Sequence, residues 1–143
     1  MLIFALASLL TGCIDQLTKL LAMARLTPEA PVPLWGFLQL SLTHNRGAAF
    51  GLLPGGWLPV SATIAVCVVV CAYACAGGLH RAPARSLPLG LIVGGALGNL
   101  VDRLRFGAVV DFVDLQIWPV FNVADAAITV GILVLAAEML RRR

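Results

Sequence analysis

At 143 residues the chain has the length of one domain, and a composition of 60% hydrophobic and 12% charged residues with mean hydropathy +0.96 excludes an ordinary soluble globule. The formal net charge of +3 is small and gathers at the terminal arginines 141–143, which suits a membrane surface and gives no reason to expect nucleic acid.

Four apolar runs, residues 1–23, 57–79, 87–104 and 121–140, each approach the roughly 20 residues that span a bilayer. The expectation is an all-α integral membrane protein of four transmembrane helices in a single domain, 1–143, with a surface segment at 25–56. In the first run, Leu10-Thr11-Gly12-Cys13 has the form of a lipobox, but nothing basic precedes Lys19, so a spanning helix is preferred to a cleaved leader. Asp15 and Lys19 stand four apart, acid first, on one helix face where they can pair. That pairing makes both structural polar residues.

After Arg25, Pro28, Pro31 and Pro33 break any helix. From Leu38 the pattern turns period-two, with Leu38, Leu40 and Leu42 on one side and Gln39, Ser41 and Thr43 on the other, which predicts a half-buried strand. It runs into the polar turn His44-Asn45-Arg46-Gly47-Ala48-Ala49-Phe50-Gly51. A small β-sheet on the outer membrane surface between helices 1 and 2 follows, with Trp35 and Trp57 as interfacial anchors.

In the second run Cys67, Cys71 and Cys75 recur every four residues without other metal-ligand types nearby, so they read as small packing residues and no metal site is expected. Residues 80–85 make a short basic loop, with His80 a loop residue. The third run carries Gly90, Gly94 and Gly98 at a spacing that lets a neighbouring helix pack closely, then Asn99, Asp102 and Arg103. Asn99 and Arg103 share a face; Asp102 lies one residue round.

The last third holds Asp111, Asp114 and Asp125 in an otherwise apolar stretch. Each carboxylate in the hydrocarbon slab costs roughly 2.5–3.5 kcal/mol, so a functional role is the default there. Asp114 reads as a loop residue. The fourth helix is expected to start near Phe121 with Asn122 and Asp125 on one face. Arg81, Arg85 and arginines 141–143 form the denser basic group, which places both termini in the cytoplasm and the polar residues at the outer face.

Five blocks in order resemble bacterial lipoprotein signal peptidase (signal peptidase II): Asp15-Gln16-x-Thr18-Lys19, Asn45-x-Gly47-Ala48-Ala49-Phe50, Gly94-Gly95-Ala96-Leu97-Gly98-Asn99-x-x-Asp102-Arg103, Val109-Val110-Asp111-Phe112 and Phe121-Asn122-x-Ala124-Asp125. Unlike the family pattern, Met1 leads straight into the apolar run without a short basic leader. The resemblance implies an aspartyl endopeptidase of the bacterial inner membrane, the target of globomycin, that cuts diacylglyceryl-modified prolipoproteins just before the lipidated cysteine. It implies Asp111 and Asp125 as the catalytic pair and Asn45, Gly47, Asn99, Arg103 and Asn122 as the substrate- and inhibitor-binding set. Asp15, Lys19 and Asp102 remain structural polar residues. No cofactor is expected; the partners are the prolipoprotein substrates, membrane lipids and globomycin-type inhibitors, and the chain is expected to be a monomer. Two rivals use the same acids differently. A proton-coupled transporter would use Asp15 or Asp125 as a relay, and a non-catalytic membrane subunit would pack through the glycine stripe.

Overall fold

A computed structural model describes residues 1–47 and 57–141. Residues Ala48, Ala49, Phe50 and Gly51 of the polar turn and the last two arginines lie outside the described residues. Among the described residues four helices are long and apolar enough to cross a membrane: α1 (Leu2–Arg25), α2 (Trp57–Cys75), α4 (Ser86–Phe106) and α5 (Val123–Arg141). Between α2 and α4 the basic stretch folds into the one-turn helix α3 (Gly78–Arg81) and a 3-10 turn at Pro83–Arg85. His80 therefore sits in a helical turn instead of an open loop. Gly77, with φ of 80°, makes the break that ends α2 and lets Gly78 begin a new direction.

Large apolar side chains face outward along the helices, Leu2, Leu9, Val69, Leu133 and Leu140 among them, which is the inverse of a soluble bundle and what a lipid solvent demands. Helix α4 is the buried axis. Its glycines are places where neighbours touch: a Cβ at Gly90 would stand 2.6 Å from Ala7 Cβ, and one at Gly94 would stand 2.8 Å from Thr11 Cβ. Gly98 sits against the Asp15 carboxylate. The stripe thus packs α4 on α1, as small-residue spacing predicts. On the opposite side a Cβ at Gly95 would stand 2.6 Å from the Ala124 carbonyl oxygen, and one at Gly131 of α5 would stand 2.7 Å from the Pro88 carbonyl oxygen.

A three-stranded antiparallel sheet, order β1-β2-β3, is built from β1 (Val32–Trp35), β2 (Leu38–Asn45) and β3 (Val109–Asp114). Only two of these strands come from the segment between the first two long helices. The third follows α4, so the sheet joins chain regions far apart in sequence. The run Val109–Phe112 is buried throughout, so it shows no alternation, and so short a buried run cannot be told from a helix by period. Asp114 closes β3 and is therefore no loop residue. It accepts Gln39 Nε2 at 2.6 Å and the Gln116 amide at 2.7 Å, which ties the strand to its neighbour and shapes the turn after it. Ala22, Leu26, Leu42, Val110 and Phe112 pack together and seat the sheet on the end of α1.

Phe121 pairs with Val113 in an isolated bridge, and α5 starts only at Val123. Asn122 is accordingly the cap of that helix, not a member of its face. Its Oδ1 accepts the Asp125 amide at 2.9 Å, the bond an N-cap side chain makes with the third helical residue.

Candidate active site

The end of α1, the end of β2, the last turns of α4, strand β3 and the first turn of α5 converge on one polar cluster. Asp111 is brought there by β3, whose register sets it opposite Thr43 and puts Asn45 opposite Val109. Asp125 arrives in the first turn of α5, where the helix dipole favours a carboxylate. The two acids reach the cluster from different elements, and Asn122 touches both, through its Nδ2 on Asp111 and its Oδ1 on the Asp125 amide.

Three asparagines supply those amides. Asn122 Nδ2 donates to Asp111 Oδ1 at 2.6 Å, and Asn45 Nδ2 donates to Asp111 Oδ2 at 3.2 Å. Asn99 Nδ2 donates to Asp125 Oδ1 at 2.8 Å. Asn99 and Asn122 are themselves linked, Nδ2 of Asn122 to Oδ1 of Asn99 at 3.1 Å. Both are buried, Asn122 completely, with their amide groups against the carboxylates.

Behind these amides lies a closed ionic core. Lys19 Nζ is 2.8 Å from Asp15 Oδ2, from Asp102 Oδ2 and from Asn99 Oδ1, so all three ammonium protons have acceptors. The remaining carboxylate oxygens are used as well. Asp15 Oδ1 accepts the Ala124 amide at 2.9 Å, and Asp102 Oδ1 accepts Gln16 Nε2 at 2.8 Å. Asp102 Oδ2 also takes the Val110 amide at 3.1 Å. These bonds tie α1, α4, β3 and α5 together at one level. Nothing in the sequence shows that Asp102 completes this group, since its one-residue offset from the Asn99 face only acquires meaning once α1 packs on that side.

Gly47 joins the cluster from the turn after β2. Its amide donates to Asn45 Oδ1 at 2.9 Å, and its carbonyl accepts Arg103 at 3.4 Å. Arg103 also reaches the Asn99 carbonyl at 3.4 Å, so one guanidinium bridges α4 and the turn after β2. Burial, with the Asp125 charge next in effect, pushes the Asp111 carboxyl from an ordinary 3.8 up to about 7. An acid held there can keep a proton near neutrality while its neighbour is ionised.

Each carboxylate lines an opening of its own. An apolar cavity of about 440 Å³ between α2, α4 and α5 is walled by residues such as Leu58, Val66, Ile92 and Ile132 and ends at Asn99, Arg103 and Asp125. A polar cleft of about 310 Å³, lined by Thr43, His44, Asn45 and Arg46, ends at Asp111. Among the described residues no three His, Cys, Asp or Glu side chains cluster as metal ligands. The chemistry on offer is proton exchange between two carboxyls, with amide and guanidinium donors beside them.

A family model described as signal peptidase (SPase) II matches residues 7–141. A lipoprotein signal peptidase of Moorella thermoacetica is 45% identical over 141 residues, spanning 96% of this chain and 92% of that relative. One from Burkholderia mallei is 43% identical over 148 residues, with 94% of this chain and 86% of the relative covered. A bacterial membrane enzyme solved by the in meso method at 2.3 Å superposes with TM-score 0.89 at 27% identity, over 96% of this chain and 87% of that one.

Proposed function

From the premise that this chain belongs to the signal peptidase II family, we propose that it is an aspartyl endopeptidase of the bacterial inner membrane that removes signal peptides from diacylglyceryl-modified prolipoproteins. The observation that carries the reading is the placing of Asp111 and Asp125 in one amide-lined cluster, with an apolar cavity at Asp125 and a polar cleft at Asp111. Peptide hydrolysis with neither metal nor nucleophilic side chain needs a base to activate water and an acid to protonate the leaving nitrogen. Two carboxyls sharing one proton supply both, because like charges held close cannot both ionise. One carboxylate takes a proton from water as its oxygen attacks the scissile carbonyl, and the other carboxyl gives its proton to the departing amine. The titration belongs to the pair.

The cavity beside Asp125 suits the apolar signal segment and acyl chains, and the cleft beside Asp111 suits the polar residues after the cut and the incoming water. Arg103, Asn45 and Gly47, at the mouth, are the groups placed to hold the substrate backbone. Asn99, in the cavity wall, and the wholly buried Asn122 act on the carboxylates. With the sheet at the outer membrane surface, the scissile bond lies where a lipid-anchored cysteine meets water. Asp15 is wholly buried against Lys19 and holds the Ala124 amide, which suits a brace better than the relay a transporter needs.

The test is cleavage of a diacylglyceryl-modified prolipoprotein by purified variants. Asp111→Asn and Asp125→Asn should each abolish turnover, and the double variant should be little worse than either. Asp114→Asn, which keeps an oxygen for its turn, should remain active. Turnover in folded Asp125→Asn protein, or inhibition by chelators that added metal reverses, would exclude the mechanism.

A further inference from the structure

Lys19 is the largest fully buried side chain among the described residues, and bracing alone does not explain its third bond. Two of its protons go to Asp15 and Asp102; the third goes to Asn99 Oδ1 at 2.8 Å. An ammonium only donates, so the Asn99 atom facing it has to be oxygen. The Asn99 NH2 is thereby turned the other way, onto Asp125 Oδ1 at 2.8 Å. The amides on Asp111 are polarised by the same logic. The Asn122 oxygen must meet the Asp125 amide, and the Asn45 oxygen must meet the Gly47 amide, both obligate donors. In all three asparagines a donor on the far side decides that an N–H faces a catalytic carboxyl.

We propose that Lys19 is a positioning residue for the reaction: its ammonium fixes the direction of the Asn99 amide and so holds an N–H donor on Asp125. This rests on the aspartyl reading above. With the amide reversed, the Asn99 oxygen would face a carboxylate oxygen, and Asp125 would have to rotate away or take up a proton. The donor on Oδ1 keeps one Asp125 oxygen engaged and leaves the other to water or the shared proton. Asn122 reinforces the arrangement, since its NH2 also donates to Asn99 Oδ1, the same oxygen Lys19 selects.

Asn99→Asp separates this role from a brace. It keeps the oxygen that Lys19 and Asn122 require and replaces the donor facing Asp125 with a second oxygen. A charge-balanced partner variant, Lys19→Met with Asp15→Asn, removes the ammonium and frees the Asn99 amide to turn. Both are assayed beside Asp125→Asn for kcat, KM and thermal unfolding, on a lipid-modified prolipoprotein peptide in detergent micelles. The expected result for Asn99→Asp is a kcat lowered about 100-fold, with KM changed less than about threefold and folding intact, and the Lys19 variant should show the same split. An Asn99→Asp protein with kcat within tenfold of wild type, or one whose loss lies in KM or in folding, overturns the assignment. So does a folded Lys19 variant with wild-type kcat; should that variant not fold, the Asn99→Asp result decides alone. Activity in Asp125→Asn would instead overturn the aspartyl reading itself.

Discussion

Asp111 is almost wholly buried and holds its proton up to about 7, far above the ordinary 3.8 of an aspartate. Between those values the folded state binds this proton more tightly than the unfolded chain does. Its contribution to stability is therefore complete below about pH 4 and is lost as pH rises through about 7. Asp111→Asn should remove that dependence. Chemical denaturation in detergent is expected to find the variant more stable than wild type at pH 8, with the difference shrinking towards pH 4. A gap that stays constant with pH would show that the carboxyl is not carrying a buried charge. Arg103 offers a second test at this scale. Its fork reaches the Gly47 and Asn99 carbonyls at 3.4 Å each, a span that the point charge of a lysine cannot cover. Arg103→Lys should lower kcat/KM at least about tenfold with the fold retained, measured by cleavage and by thermal unfolding; wild-type kinetics would leave the side chain as charge balance only.

At the scale of elements, the close approach of α1 to α4 is what closes the ionic core. Gly98 touches the Asp15 carboxylate, whereas a Cβ at Gly12, on the same helix pair, would find only the Gly94 carbonyl at an ordinary 3.6 Å. Gly98→Ala should cost about 1–3 kcal/mol as the helices part or the ion pair shifts, with activity lost alongside. Gly12→Ala should be tolerated. Unfolding midpoints of the two variants check the contrast, and equal behaviour would mean that α1 and α4 can slide without consequence. The strand β3 is the other decisive element. It is paired on β2 and anchored through the Val110 amide to Asp102, so it sets Asp111 by its register. A slip of one residue would turn Asp111 to the opposite face.

For the whole molecule, the four long helices and the sheet at one end of the bundle leave a choice of two orientations. The far end carries Arg85, whose guanidinium bonds Glu138 at 3.3 Å and the Tyr73 hydroxyl at 3.2 Å. With the denser arginines at that end, the cytoplasm is the expected side for both termini. In a background without the native cysteines, Glu29→Cys should react with an impermeant thiol reagent in intact cells, and Arg143→Cys should react only after permeabilisation. The reverse pattern would turn the active site inward.

Hydropathy and spacing were enough to identify four spanning helices, the close-packing glycine stripe of α4 and the Asp15–Lys19 pair, because these depend on local periodicity in a lipid solvent. The ordered blocks were enough to identify the family. The third strand, the capping role of Asn122, the joining of Asp102 to Lys19 and the amide directions around the two acids were decided by tertiary structure alone. Val109–Asp114 has no alternation because both its faces are covered, and only strand pairing across more than sixty residues shows it to be a strand. Hydrogen-bond direction is likewise invisible along the chain. It is set by which obligate donor, an ammonium or a backbone N–H, packing places on the far side of each asparagine.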